Sequence, residues 1–308
     1  MRLAAFSVSN EDRVRLGAVI DETIVELPAG EGAVDPILDL LREAGGLDRV
    51  RALIARRRGT GAVYSMSQVR LYAPVRQPGS LRDFYAFEGH VRAARANRGL
   101  DVPPAWYEIA VFYFSNHRAI VDPFAEVKHP KASHALDFEL EIAAVIGQTG
   151  IDIAAREAEG YIAGYMVMND WSARDLQRRE MKLNLGPAKG KDFATTLGPY
   201  LVTPDELLDR RIDRGAAGCV YDLEMIGRVN GREVSRGSWR DMHFTFAQLI
   251  ERASQDVWLY PGDVIGSGTV GTGCLLELTK GQGPWLRPGD VVELEIERLG
   301  VIRNRVRG

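Results

Sequence analysis

The chain is divided into many short apolar segments, each followed by turn-forming residues such as Gly, Pro or Asn. Short segments with frequent turns are typical of a strand-rich fold, and helical spacing is confined to fewer places, among them GHVRAARANRG and TFAQLIERAS. In RVNGREV, the Asn-Gly pair predicts a type I′ hairpin because both residues tolerate positive φ. The pattern predicts an α+β, β-rich fold with mixed or antiparallel sheet. The predicted strand segments after residue 135 are FELEIAAVIG, GYIAGYMVMND, PYLVTPDEL, CVYDLEMIGRVNGREV, DVIGSGTV, CLLELTKG and DVVELEIERLGVIRNRV.

The beginning of the chain has a pattern of its own. RLAAFSV, RVRLGAVI and TIVELP are predicted strands. Residues 35–58 have helical spacing around a Gly-Gly break, which predicts two short helices, and residues 59–75 return to strand. At 308 residues the chain exceeds the usual length of one domain. We therefore predict a small N-terminal domain at 1–72 and a larger domain at 73–308.

Composition excludes several classes of protein. The net charge of -3 comes from 39 basic and 42 acidic residues, so no concentrated positive surface for nucleic acid is expected. The two cysteines form no CxxC motif and no disulfide framework. No stretch reaches the roughly 18 apolar residues that spanning a bilayer requires. We expect a soluble, cytoplasmic protein with no membrane or nucleic-acid partner.

The segment LDFELEIAAVIG, residues 136–147, carries three carboxylates at alternate positions of a predicted strand: Asp137, Glu139 and Glu141. Side chains alternate across a strand, so Glu139 and Glu141 point to the same side, with their bases about 7 Å apart. Two interpretations are open. Either this side is exposed to water, or the carboxylates converge on a positive charge.

Two further segments carry candidate functional residues. In MVMNDWSARDLQ, residues 166–177, an apolar strand ends at Asp170. Asp170, Arg174 and Gln177 share a face if a helix opens there, although an exposed salt bridge is the alternative. In LRDFYAFEGHVRAAR, residues 81–95, Asp83 and Tyr85 lie on one side of an extended segment. His90 follows at a predicted helix start, and no local feature separates it from the other four histidines.

Carboxylates from separate segments, without cysteine and with few histidines, predict an all-oxygen site. Such a site suits the hard cations Mg²⁺, Mn²⁺ or Ca²⁺ and disfavours zinc. Two glutamates and two aspartates leave about two negative charges uncompensated by one divalent ion. Arg174 and Lys191 are candidates for balancing them.

Together these segments resemble the fumarylacetoacetate hydrolase family over roughly residues 70–300. DFELEIA is similar to the family's metal-binding E-x-E strand, and residues 169–177 to its NDWSARDxQ motif. LGPAKGKDFATTLGPYLV is similar to its LGPxxGKxFxTTxxP segment, and LYPGDVIGSGTVGTG to its PGDxIxxGTxxG turn. The resemblance implies a mixed β-sheet roll or sandwich as the catalytic domain, a homodimer, and one divalent cation per subunit. The implied metal ligands are Asp83, Glu139, Glu141 and Asp170.

The resemblance also implies catalytic roles. RDFYAFEGH is similar to the RDFYxxxxH form of the hydrolases, which implies that His90 is the general base. CLLEL is similar to their MLEL strand, which offers Glu277 as the partner of His90, and Lys191 is the implied active-site lysine. A second branch usually has NYxxHxxE, but Ala93 stands three residues beyond His90 here. The implied substrate contacts are Tyr85, Tyr113, Arg174, Gln177 and Thr269.

The sequence departs from the family pattern in the loop at 178–190. Met181 stands where the pattern has a tyrosine, and the run from there to Lys191 is one residue longer. The family pattern has a basic contact beyond the histidine, and both Arg95 and Arg98 are candidates for it. Substrate contacts in this part therefore do not transfer.

The resemblance implies a metal-dependent hydrolase that cleaves a carbon–carbon bond in a 1,3-diketo acid, either fumarylacetoacetate-like or acylpyruvate-like. The small-molecule partner is a diketo or 2-oxo acid. Decarboxylation of a 2-oxo acid, or hydratase and isomerase chemistry, is the alternative within the family. A non-catalytic, metal-binding scaffold is the alternative outside enzymes.

Overall fold

The computed structural model describes residues 1–8, 11–29, 33–57 and 62–308, leaving out the side chains of 55–57. The predicted helix end at residue 58 and strand start at 59–61 lie outside the described residues. Strands predominate over helices, so the predicted α+β, strand-rich fold is confirmed. The first elements are β1 (Arg2–Val8), β2 (Arg15–Ile20), β3 (Thr23–Leu27), α1 (Pro36–Arg42), α2 (Gly46–Arg57), β4 (Val63–Ser65) and β5 (Val69–Tyr72).

The rest of the chain continues with short strands and few helices. Short 3₁₀ helices lie at 66–68, 159–161, 181–183, 204–210, 215–217 and 239–241. The remaining elements are β6 (Leu81–Phe84), α3 (Glu88–Ala96), α4 (Ala105–Glu108), β7 (Phe112–Phe114), β8 (Ile120–Val121), β9 (Val127–Lys128), β10 (Leu136–Asp137), β11 (Leu140–Ile146), α5 (Ala155–Ala158), β12 (Ile162–Asp170), β13 (Ser172–Ala173), α6 (Arg174–Glu180), β14 (Thr195–Val202), β15 (Arg211–Asp213), β16 (Cys219–Tyr221), β17 (Glu224–Val229), β18 (Arg232–Ser238), α7 (Phe246–Ser254), β19 (Val264–Gly266), α8 (Leu275–Leu278), β20 (Val291–Ile296) and β21 (Gly300–Arg307).

Within the described residues, twelve strands form one mixed sheet. Its order is β4-β3-β2-β1-β14-β12-β11-β19-β6-β7, with β5 on β1 and β8 on β14. A second sheet has the order β18-β17-β20-β21-β9. Most neighbours are antiparallel, whereas β19 and β6, β14 and β8, and β21 and β9 are parallel. The central strands β12, β11, β19 and β6 are consecutive neighbours, which brings distant parts of the sequence side by side.

The N-terminal strands extend the sheet of the larger region. β1 pairs with β14, where Leu3 lies opposite Leu201. The domain boundary between residues 72 and 73 therefore stays a prediction, and the strands before it share hydrogen bonds with those after it.

The central strands are apolar along their length because both faces of the sheet are covered. Every residue of β11 is buried. Ile142 and Ala144 belong to a core that includes β17 and β20 of the second sheet, whereas Ala143 and Val145 belong to a core shared with α1. Trp171 is fully buried and donates to the Thr196 hydroxyl at 3.0 Å.

Local signals in the sequence explain several element ends. Asn230 and Gly231 have φ of 53° and 76° between β17 and β18, as the predicted type I′ turn requires. Thr245 begins α7 through a capping box with Gln248.

The predicted strand CLLEL is wrong, because residues Leu275–Leu278 form the short helix α8. Its first amides bind a carboxylate from elsewhere in the chain: Asp137 accepts from Leu275 at 2.8 Å and from Leu276 at 2.9 Å. This long-range contact supplies the cap that the local sequence lacks.

Among the described residues, no helix has both the length and the apolar composition that crossing a membrane takes.

Candidate active site

Four buried carboxylates meet where the central strands lie side by side. Asp83 lies on β6, Glu139 immediately before β11, Glu141 on β11 and Asp170 at the end of β12. One oxygen of each lies within 4.8 Å of the others. All four residues are buried, with at most 6% of Glu139 exposed. The interpretation of this side of the strand as exposed to water is therefore wrong.

Two glycines, which the sequence interpretation did not single out, allow this approach. A Cβ on Gly266 would lie 2.4 Å from Asp83 Oδ1. Gly268 has φ +75°, and a Cβ there would lie 2.5 Å from the carbonyl oxygen of Phe84. Its amide donates to Glu141 Oε2 at 3.1 Å and to Asp83 Oδ1 at 3.3 Å. The glycine-rich turn therefore holds two of the carboxylates through a backbone that only glycine fits.

Two buried cations face the same carboxylates. Lys191 Nζ lies 2.6 Å from Glu139 Oε2 and 2.5 Å from Asp170 Oδ2. Arg174 Nη2 lies 2.8 Å from Glu139 Oε1. Burial opposes charge on Glu139, yet Lys191 and Arg174 together hold its pKa below the ordinary value. Burial likewise opposes charge on Lys191, but Asp170 and Glu139 raise its pKa, so the ammonium stays protonated.

The other carboxylates are less well compensated. Burial and the neighbouring Asp170 raise the pKa of Asp83 well above its usual range. Burial and Asp83 do the same to the pKa of Glu141. Glu141 Oε1 and Asp170 Oδ1 are buried and accept no hydrogen bond from the described residues. Buried carboxylate oxygens without donors, gathered from several segments, fit a hard divalent cation.

Tyr113 closes one side of the cluster. Its hydroxyl on β7 contacts Asp170 Oδ2 at 2.5 Å and Asp83 Oδ2 at 3.2 Å. Burial, with the charge of Asp170, raises the pKa of Tyr113 well above its usual range, so the phenol stays a donor. The structure therefore places the Tyr113 hydroxyl against two of the four carboxylates.

A histidine and a glutamate form a pair at the start of α3. His90 Nδ1 lies 2.5 Å from Glu277 Oε1, and the amide of Thr272 donates to Glu277 Oε2 at 3.0 Å. Tyr85 lies edge-on to the imidazole, with ring centroids 5.2 Å apart. Burial raises the pKa of Tyr85 to about 12, and the nearby Arg98 opposes the shift. Arg95 Nε donates to the carbonyl of Asp101 and Arg98 Nε donates to that of Ala94, so the basic contact beyond the histidine stays a prediction.

Asp137 turns away from the row in which the sequence placed it. β10 ends at Asp137 and β11 begins at Leu140, so the carboxylates do not continue along one strand. Asp137 instead accepts from Arg174 Nε at 2.8 Å. Through this contact and its bonds to α8, Asp137 connects the arginine at the carboxylates with the helix that carries Glu277.

The predicted helical face of Asp170, Arg174 and Gln177 is only partly present. Asp170 ends a strand, and α6 begins at Arg174, so the face is shared by Arg174 and Gln177 alone. Arg174 Nη1 donates to Gln177 Oε1 at 3.0 Å. Gln177 is half-buried and reaches the carboxylates through the arginine.

Thr269, a predicted substrate contact, binds the backbone rather than the carboxylates. Its hydroxyl donates to the carbonyl of Leu140 on β11 at 3.2 Å. In the loop that departs from the family pattern, Glu180 accepts from the amides of Ala188 and Lys189 at 2.8 Å each. Met181, which stands where the family pattern has a tyrosine, is 43% exposed.

The fold and the site define a family. The chain belongs to the fumarylacetoacetate hydrolase family, because the family described as fumarylacetoacetate (FAA) hydrolase C-terminal matches residues 80–307. The chain is 30% identical over 267 residues to fumarylacetoacetase of Arabidopsis thaliana, covering 72% of this chain and 63% of that protein. It is 33% identical over 319 residues to the mitochondrial oxaloacetate tautomerase Fahd2a of Rattus norvegicus, covering 99% and 91%.

The fold agrees with solved structures along the whole chain. A 5-carboxymethyl-2-hydroxymuconate delta-isomerase from Mycobacterium smegmatis superposes with a TM-score of 0.69 and 26% identity, covering 100% of this chain and 99% of that one. The chain spans only 56% to 63% of the length of the first four curated relatives it matches. The relatives bear the names of a hydrolase, a tautomerase and an isomerase, so the family is one of enzymes with more than one reaction.

Proposed function

We propose that the chain is a divalent-metal-dependent hydrolase that cleaves a carbon–carbon bond in a 1,3-diketo acid. The observation that carries the proposal is the His90–Glu277 pair, in which His90 Nδ1 lies 2.5 Å from Glu277 Oε1. An imidazole positioned by a carboxylate is suited to taking a proton from water.

The cation would be held by Asp83, Glu139, Glu141 and Asp170. The fit is supported by the buried, unpartnered oxygens on Glu141 and Asp170 and by a donor set made only of oxygen. When bound, Mg²⁺ or Mn²⁺ supplies a Lewis acid that polarises the substrate oxygens. Arg174 and Lys191 balance the charge that one divalent ion leaves over.

His90 begins the reaction by taking a proton from water, whose oxygen adds to a substrate carbonyl carbon. Glu277, held by the amide of Thr272, fixes the imidazole through Nδ1 and stabilises its protonated form. The carbon–carbon bond then breaks, and its electron pair enters the leaving group as an enolate. Protonated His90 returns the proton to that enolate, giving a ketone and a carboxylic acid. Lys191 and Arg174 contribute positive charge while the enolate forms.

A second candidate is tautomerisation of a 2-oxo acid. The relative that matches almost the whole chain, from Rattus norvegicus, is an oxaloacetate tautomerase. The same residues support this reaction without attack by water, since His90 need only move a proton between carbon and oxygen of the substrate. Hydrolysis is proposed first because an imidazole positioned by a carboxylate, as His90 is by Glu277, can take a proton from water.

The test is a parallel assay of fumarylpyruvate, acylpyruvates and oxaloacetate with Mg²⁺, with Mn²⁺ and with a chelator. Identification of the products by NMR separates cleavage of the carbon–carbon bond from keto–enol exchange. We expect metal-dependent release of pyruvate and a second carboxylic acid from at least one diketo acid. Keto–enol exchange of oxaloacetate without any cleavage supports the tautomerase instead, and no turnover of any substrate supports the non-catalytic scaffold. The homodimer and the cytoplasmic location stay predictions.

A further inference from the structure

A second group of potential metal ligands shares no residue with the four carboxylates and differs from them in chemistry. It consists of His90, Cys274 and Glu277, hereafter the thiol cluster, whose ligand atoms lie within 4.8 Å of one another. His90 and Glu277 form the proposed catalytic pair, whereas Cys274 has no part in that reaction. The sequence contains no CxxC motif, and only the fold brings His90 next to Cys274 and Glu277.

One oxygen is the centre of the thiol cluster. Glu277 Oε1 lies 2.5 Å from His90 Nδ1 and accepts from Cys274 Sγ at 3.6 Å. The other oxygen, Oε2, is occupied by the amide of Thr272 at 3.0 Å. Imidazole nitrogen, sulfur and carboxylate oxygen therefore converge, with the remaining oxygen of the glutamate fixed by the backbone.

The two groups of ligands select different ions. Four carboxylates suit hard cations, whereas a thiolate with an imidazole and a carboxylate suits borderline ions such as Zn²⁺ and Co²⁺. We propose that the thiol cluster is a second metal site that takes Zn²⁺ or Co²⁺, and that an ion bound there inhibits the enzyme. The inhibitory half of this proposal rests on the proposed function, whereas the binding half does not.

Metal binding requires that each ligand atom be free of its proton. The Cys274 thiol loses its proton to solvent, and the Nδ1 proton of neutral His90 moves to Nε2, which leaves Nδ1 free for the ion. The thiolate and the Glu277 carboxylate then carry two negative charges, which one divalent ion neutralises, so no surplus charge is buried. No oxidation or reduction is involved. His90, now bound to the ion, is no longer free to take a proton from water.

The binding half is tested by titrating the full chain, saturated with Mg²⁺, with Co²⁺. A thiolate bound to Co²⁺ gives a charge-transfer band in the near ultraviolet. The chain has only two cysteines, so Cys219→Ser is a matched control for Cys274→Ser. We expect the band in the parent and in Cys219→Ser, its displacement by Zn²⁺, and its loss in Cys274→Ser. The apparent affinity for Zn²⁺ should fall at least about tenfold in Cys274→Ser.

Thermal melts verify that the serine variant is folded. If it is not, Glu277→Gln replaces it, and the band should weaken there because one ligand is lost. A folded parent without the band, or a band that survives Cys274→Ser and disappears in Cys219→Ser, overturns the binding half.

The inhibitory half is tested by activity at rising Zn²⁺ with Mg²⁺ held in excess. Inhibition should be strong in the parent and at least about tenfold weaker in Cys274→Ser. The charge-transfer band together with undiminished activity overturns the inhibitory half. If the chain turns over no substrate at all, the proposed function fails, and the Co²⁺ band still decides on binding.

Discussion

Replacing His90 by alanine is expected to lower kcat by about 10²- to 10⁴-fold, the usual contribution of a positioned general base. Binding of the divalent ion should survive, because His90 lies outside the four carboxylates that would hold it. The measurement is kcat on the diketo acid that the parent cleaves fastest, with Mn²⁺ affinity determined on the same preparations. His134→Ala is the matched control, since His134 is an exposed histidine and its replacement should leave kcat within about twofold.

Replacing Glu277, the partner of His90, tests the same assignment a second time. Glu277→Gln should also lower kcat, because an amide holds the imidazole without stabilising its charge. Residues that act as a unit are not additive, so the double variant should be little slower than His90→Ala alone. If His90→Ala keeps activity within a few-fold of the parent, the assignment of the base is wrong.

Lys191→Met is expected to lower the free energy of unfolding of the metal-free protein by about 3–5 kcal/mol, the usual effect of removing one partner of a buried ion pair. Lys191 lies 2.6 Å from Glu139 and 2.5 Å from Asp170. Among the described residues, its removal leaves Arg174 as the cation paired with Glu139 and no cation paired with Asp170. Added Mg²⁺ should then stabilise the variant more than it stabilises the parent, because more negative charge is uncompensated.

Urea denaturation in the presence of a chelator, and again with Mg²⁺, measures both effects. Lys189→Met is the control two residues away: Lys189 is exposed and paired with Asp192 at 2.8 Å. Its loss should change the free energy of unfolding by less than about 1 kcal/mol. A metal-free Lys191→Met protein as stable as the parent would show that the lysine does not compensate the cluster.

The sequence predicted which side chains gather at the site better than it predicted how they are held. Asp83, Glu139, Glu141 and Asp170 were recognised from motifs on separate segments, and the structure brings them together because β6, β19, β11 and β12 are neighbours. Because Glu139 and Glu141 alternate with apolar residues, the sequence alone predicts that their side chains point to the same side. The pairing of strands that completes the group is long-range, and no local pattern specifies it.

The features that the sequence does not predict also depend on contacts between distant parts of the chain. Leu275–Leu278 is a helix because Asp137 caps it from 138 residues away, and the apolar pattern of CLLEL alone favoured a strand. The glycine-rich turn is visible in the sequence. That Gly266 and Gly268 in particular must lack a side chain follows only from the approach of Asp83 and Phe84 in the fold. The role of Asp137 as the partner of Arg174 likewise appears only when β10 and β11 separate.

The most direct test of the account is calorimetric titration of the metal-free chain with Mn²⁺, repeated on Glu141→Gln. Glu141 has a buried oxygen without a donor, and glutamine keeps its shape while removing its charge. We predict one strong Mn²⁺ site per chain with hard-ion preference, and binding at least about tenfold weaker in Glu141→Gln. Glu108→Gln, at an exposed glutamate, should bind as the parent does. Absence of saturable Mn²⁺ binding, or equal binding by Glu141→Gln and the parent, would contradict a cation site formed by these four carboxylates.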